Sequence, residues 1–300
     1  MEIPSGTREK ISIDKYVGVG NFKVLAVNPD KAELSELLGK EFDDEPEYVK
    51  TKADGKQMVI VKFWTEEEET KQKFSIDFIL TEDLAFSSDK ANPKALYINQ
   101  VGDTQYVDDE KNLFESFKNF TKIVDWKSAS GQISKKYIAG SKPNEIEYLG
   151  EKEYRQAYAG EKELYAFIQN WLSEVELSEP GIKLLVDFDK LMEGDVSELQ
   201  GLVGSKYTGT VVAAAIVETD KDDKDKHYQK VSKKGFLPGE SFKYFKLGNF
   251  PKRMAKRWTE FQAGINRETK SHSLELIHKY DPETDLNNSG STMNPSDSSY

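Results

Sequence analysis

The chain has 300 residues, 37% of them aliphatic or aromatic, enough apolar surface for one large packed domain or two small ones. With 42 basic against 53 acidic residues its net charge is −11, which argues against coating a polyanion with the whole surface but leaves room for one positive groove. It has no cysteine and only three scattered histidines, His227, His272 and His278, so disulfides and thiolate metal sites are excluded and a His-based zinc site has no support.

No apolar run reaches membrane-spanning length and MEIPSGTREK lacks the hydrophobic core of a signal peptide, so a soluble cytoplasmic protein with no membrane partner is expected. Residues 1–17 read as an N-terminal arm. Gly18 to Pro29 reads as a turn feeding a strand. Its two glycines do not make a phosphate-binding fingerprint, which needs a preceding strand and a third glycine opening a helix. Asn28-Pro29-Asp30 starts a helix carrying Leu34, Leu37 and Leu38 and stopped by Gly39. Asp54-Gly55 signals a hairpin, and Met58–Trp64 and Lys73–Leu80 are strands joined by a solvated turn at Glu66–Glu69. Trp64 reads either as a cover on the core at a strand end or as an exposed ring.

Lys94–Val101 is a further strand, and Asp103–Tyr106 is expected to turn the chain. Phe114, Phe117 and Phe120 mark a helical face or an aromatic-packed loop. In Lys127–Ile138 the cations Lys135 and Lys136 adjoin Tyr137, with Gly131 at a tip. Residues 151–173 read as a helical insertion broken at Gly160, with Trp171 in the core. Ile182–Phe188 reads as strand and Asp189–Leu202 as a loop with one helical turn. Lys206–Val217 (KYTGTVVAAAIV) is a buried strand followed by a charged tip, Asp220–Lys226, and a return segment, His227–Val231. Between Asp220 and Trp258 twelve Lys or Arg face five Asp or Glu, a local charge of +7 on an acidic chain. Glu260–Ile277 is weakly helical, and 281–300 is a polar, mildly acidic tail with too little apolar surface to fold.

No nucleophile elbow or Walker motif is present. Asp187 and Asp189 flank Phe188 without a third carboxylate to complete a Mg²⁺ site. An enzyme is not expected, nor a cofactor or metal. Strands without regular helix alternation argue against a doubly wound sheet. The expected fold is mainly β with inserted helices: an OB-like antiparallel barrel with large insertions over residues 18–280.

Gly18-Val-Gly-Asn-Phe-Lys-Val-Leu-Ala-Val-Asn-Pro, Glu45-Pro46-Glu47-Tyr48, Phe63-Trp64, Asp195–Leu199, Val211-Val212 and Tyr228–Val231 to Phe236-Leu237-Pro238 together resemble single-stranded DNA-binding proteins of tailed bacteriophages, crAss-like phages among them. The resemblance spans most of residues 16–250. It implies an OB-type barrel that coats and protects single-stranded DNA during phage replication and recombination in the bacterial host cytoplasm. The zinc-binding cysteines of the T-even helix-destabilising protein have no counterpart here. A virion or scaffold-type structural protein is the alternative.

The expected nucleic-acid contacts are Lys135, Lys136, Tyr137, Lys233, Lys234, Lys243, Tyr244, Lys246, Lys252, Arg253, Lys256 and Arg257. Trp64, Tyr97, Tyr106 and Phe236 are candidate stacking rings, because binding without sequence preference combines a basic groove with stacked aromatics. The tail, ending in Tyr300, reads as a docking element for phage replication or recombination proteins, as an acidic competitor for the basic tract, or as an inert polar end.

Overall fold

The computed structural model describes residues 14–99, 104–107, 121–127, 133–139, 154–172, 187–219, 227–269 and 274–281. The strands are β1 (Tyr16–Val27), β2 (Val49–Thr51), β3 (Gln57–Glu67), β4 (Lys73–Leu84), β5 (Ala95–Asn99), β6 (Thr104–Val107), β7 (Thr121–Lys127), β8 (Ile133–Ala139), β9 (Tyr154–Gln156), β10 (Tyr158–Ala159), β11 (Thr210–Thr219), β12 (His227–Val231), β13 (Leu237–Pro238) and β14 (His278–Lys279). The helices are α1 (Lys31–Leu38), α2 (Glu161–Trp171), α3 (Phe188–Met192), α4 (Ser197–Leu202), α5 (Phe242–Leu247) and α6 (Lys252–Thr269).

Nine strands form one antiparallel sheet along the path β10-β4-β3-β1-β11-β12, with β2 on β3, β13 on β11 and β14 on β1. Strict alternation sets the register of β3 and β4. Val59, Val61, Phe63, Phe74, Ile76, Phe78 and Leu80 point inward, while Met58, Ile60, Lys62, Trp64, Ser75, Asp77 and Ile79 point outward. Helix α2 lays Phe167 and Trp171 into this core, with Phe63–Phe167 centroids 4.6 Å apart and Phe167–Phe236 5.2 Å apart. Each such ring contributes about 1.5–3 kcal/mol on burial.

The continuous apolar run of β11 has a direct cause: both of its faces are covered. Val211, Ala213 and Ala215 join the main core with Phe22 and Val24. Val212, Ala214 and Ile216 join a second core with Val19, Leu237, Phe242, Phe261 and Ile265, roofed by α5 and α6.

The sheet is not closed into a barrel. Its path ends at β10 and β12. Four antiparallel steps make β12 parallel to β4, and the two approach within 8 Å between Cα atoms. No ladder joins them among the described residues. β12 is only five residues long, and at its end the Lys233 Nζ, rather than a backbone amide, reaches the Asp77 carbonyl at 2.9 Å.

Several local expectations change. Residues 154–159 are strand rather than helix, because they complete edges left by β5 (Tyr97↔Gln156) and β4 (Thr81↔Ala159), and that pairing outweighs local helical spacing. Phe188 opens a helix instead of ending a strand, with the Asp187 side chain capping it. Asp189–Leu202 contains helical turns of both α3 and α4. Residues 104–106 form strand β6 rather than a turn, paired with β5. α6 begins at Lys252, ahead of the expected Glu260. Gly18 and Gly20 lie inside β1, not in a turn before it. Phe114, Phe117, Phe120 and the tail from 282 fall outside the described residues.

Candidate nucleic-acid interface

The basic tract folds around the end of the sheet and the helical roof. β12 stops at Val231, and the Ser232 hydroxyl, donating to Glu268, fixes the following turn to α6. That turn presents Lys233 and Lys234 to solvent, Lys233 against the β4 edge and Lys234 with its backbone beside Gly264 of α6. On α5, Lys243 is exposed and its Nζ lies 4.9 Å from the Tyr244 ring. Lys246 is exposed but ion-paired with Glu69 of the β3–β4 turn. Along α6, Lys252, Lys256 and Arg257 are exposed in the first turns of the helix, ahead of the buried Phe261 and Ile265. Lys256 has a loose contact to Glu260 at 3.8 Å. Arg253 belongs to the first turn of the same helix. Lys135, Lys136 and Tyr137 lie on β8, which pairs with β7 in a separate two-stranded ladder (Lys136↔Val124, Tyr137↔Ile123).

The candidate rings divide. Phe236 and Tyr97 are buried, Phe236 within the main core against Phe78 and Phe167, so neither is a stacking platform. Tyr106 is half-buried, with Lys162 Nζ 4.7 Å over its ring. Tyr244 is half-buried beside Phe250, with ring centroids 6.5 Å apart. Sequence reasoning passed over Phe250 and credited Trp258 only as part of the tract. Their rings stack at 4.4 Å and 13°, half-exposed on the helical roof near Leu247, which is 75% exposed. The signal was the Phe-Pro pair that separates α5 from α6.

Trp64 is outward and half-buried, with Lys62 Nζ 5.9 Å from its ring. Lys62 also pairs with Asp77 Oδ2 at 3.2 Å. Two atoms of this face, Trp64 Nε1 and Asp77 Oδ1, are shielded from solvent and have no hydrogen-bond partner.

The segment between β1 and β3 folds back over this side of the sheet. Asn28 is held by Ile60 and Lys62: its Nδ2 donates to the Ile60 carbonyl at 2.9 Å, and the Lys62 amide donates to its Oδ1 at 2.6 Å. Asp30 caps α1 in a reciprocal box with Glu33. At the far end of α1 the Leu37 carbonyl accepts from Lys73 Nζ, an outward residue of β4. Tyr48 donates its hydroxyl to the Pro29 carbonyl at 2.8 Å. Burial, reinforced by Asp77, Glu33 and Asp30, pushes its phenol up to about 12.

Among the described residues no cluster of three metal-ligating side chains occurs, and no helix is long and apolar enough to cross a membrane. Comparison of the chain with protein-family models, with curated proteins and with solved structures finds no match.

Proposed function

We propose that the chain is a single-stranded DNA-binding protein on an OB-type scaffold, acting in phage DNA replication and recombination as its sequence resemblance implies. Numbered in chain order, the five strands β1, β3, β4, β11 and β12 lie side by side as third, second, first, fourth, fifth. The fifth comes back near the third, and helix α2 between third and fourth fills the core. That connectivity suits a partly open, five-stranded Greek-key barrel, whose second- and third-strand face is a nucleic-acid surface.

The observation that carries the reading is the position of Lys233. It joins the basic tract of β12, α5 and α6 to the edge of β4, beside Asp77 and the face that bears Trp64. Phosphates would follow Lys233, Lys234, Lys243, Lys252, Lys256 and Arg257, with Lys246 recruited at the expense of its pair with Glu69. Bases would stack on half-exposed rings such as Tyr244 and Phe250, each worth about 1–3 kcal/mol.

Fluorescence-anisotropy titration with oligo(dT) and with duplex of equal length, at about 50 mM and about 200 mM salt, tests the reading. Tighter binding to the single strand, weakening with salt, is expected. A preference for duplex, or no binding at the lower salt, overturns it.

A further inference from the structure

We infer that residues 28–48, with α1 at their centre, form an acidic cover that occludes the part of the outward β3–β4 face around Trp64, leaving Ile79 exposed, and must swing away before a strand can lie on Trp64. This rests on the single-strand reading proposed above and assigns that site a gate.

Three observations converge. The first is placement. One end of the segment is fixed at Asn28 beside Ile60 and Lys62, and the other end of α1 meets the outward side chain of Lys73. α1 therefore crosses the sheet between those anchors, where the outward positions are Trp64 on β3 and Ser75 on β4. The Tyr48 hydroxyl, tied to Pro29, lies in the field of both α1 (Glu33, Asp30) and the sheet (Asp77).

The second is how lightly the cover is held and how poorly it satisfies what lies in this part of the fold. Of its eight helical residues α1 buries only Leu34. Trp64 Nε1 and Asp77 Oδ1 are shut from water without a partner. A buried polar atom in that condition destabilises the closed arrangement, and opening restores it to water or to a nucleobase edge.

The third is charge. From Asp30 to Glu47 eight acidic residues (Asp30, Glu33, Glu36, Glu41, Asp43, Asp44, Glu45, Glu47) stand against Lys31 and Lys40, a local −6. Neutral contacts would close a face equally well. An anionic cover also repels phosphates, and its Leu37 carbonyl already holds Lys73, so it keeps that face closed to polyanions until the neighbouring basic tract holds the strand close.

Replacing Leu34 by Ser removes the buried anchor without altering net charge. An apparent affinity scales with the fraction of molecules that are open, so Leu34→Ser should bind oligo(dT) more tightly than wild type, up to about tenfold if the cover is open about a tenth of the time. Adding Trp64→Ala should abolish the gain. Hydrogen exchange on the wild-type protein supplies a readout free of mutation: amides 31–38 should exchange faster when oligo(dT) is bound than when it is absent. If folded Leu34→Ser binds no tighter than a wild type that does bind, or if DNA slows exchange in α1, the cover is overturned while the single-strand reading stands. If neither protein binds any single strand at about 20 mM salt, both fall together.

Discussion

A Cβ on Gly20 would stand 2.7 Å from the Cγ of Glu67, because this glutamate fills the space beside β1. Glu67 is fully buried. Its carboxylate accepts from the amides of Asn21 (3.2 Å), Glu69 (3.0 Å) and Thr70 (2.7 Å) and from the Thr70 hydroxyl (2.9 Å). The turn expected to be solvated is thus organised around an inward carboxylate. Gly20→Ala should destabilise by about 1–3 kcal/mol through overpacking. Glu67→Gln, which keeps the shape but loses acceptor capacity, should cost about 1–3 kcal/mol. Urea unfolding at neutral pH reads both, and wild-type stability in Glu67→Gln would deny the carboxylate its organising role.

The divided aromatics give a second test. Phe236→Ala should cost about 3–5 kcal/mol, as expected for a large ring deleted from a core, and lower the melting temperature sharply. Tyr244→Ala, on the roof, should melt close to wild type and weaken oligo(dT) binding with little change in salt slope. A Tyr244→Ala protein that melts early and binds normally would return that ring to the core.

Charge reversal at Lys233, Lys234, Lys252, Arg253, Lys256 and Arg257 should weaken single-strand binding across all sequences. The slope of log K against log salt should fall by about 0.7 for each phosphate the protein no longer neutralises. Lys246→Glu should cost less than Lys234→Glu, because Lys246 is already engaged by Glu69. Unchanged salt slopes in the multiple mutant would place the phosphates elsewhere.

Asp83 receives Lys52 at 2.6 Å and also Lys56, and these two ammonium groups hold its carboxyl well below the usual carboxylate range. A carboxyl whose folded pKa is depressed stabilises the fold above its unfolded value, about 3.9, and that contribution is lost as pH falls below it. Melting temperatures of wild type and Asp83→Asn should therefore differ at pH 6 and converge in strong acid. The pair is exposed, so the difference should shrink in high salt. Parallel curves from pH 6 downward would contradict the assignment.

The segment 274–280 should be indispensable. The Val19 amide donates to the Glu275 carbonyl at 2.8 Å, the Ile277 amide to the Val19 carbonyl at 3.0 Å, and the Tyr280 amide to the Lys15 carbonyl at 2.7 Å. Gly18, at φ +111, admits this approach, since any Cβ there would stand 2.7 Å from the Leu276 carbonyl oxygen. Ending the chain at 273 should lower the melting temperature by more than Gly18→Ala does, whereas ending it at 281 retains every one of these hydrogen bonds. A stable 1–273 fragment would refute this.

Much of the framework was legible in local signals. The Asp30 cap and Gly39 stop bound α1 as read, the Asp54-Gly55 turn joins β2 to β3, and the two apolar runs either side of Glu66–Glu69 are the strands β3 and β4. What stayed hidden depended on distant partners. Tyr154–Ala159 has helical spacing but takes strand form because two sheet edges need it. Lys243-Tyr244-Phe245-Lys246 has no period of its own, and it coils because Phe242 and Phe245 both face the second core. Composition marked Phe236, Tyr97 and Trp64 alike as aromatic, yet burial separates the first two from the third, and that depends on which sheet face is roofed. The basic tract was plain as charge, but its meeting with β4 at Asp77 required the fold.

The pairing of β1 with β11 also sets a clock. Gly18 lies opposite Ala215, so β1 waits for a partner strand made about 200 residues later. At ribosomal speed that delay is on the order of 10–40 s, during which Phe22, Val24 and the inner faces of β3 and β4 lack their final cover. Closing so long a loop is also slow in itself. Nascent chains of this protein should therefore engage hydrophobe-binding chaperones until β11 has left the exit tunnel, and refolding from denaturant should yield more protein at low concentration than at high.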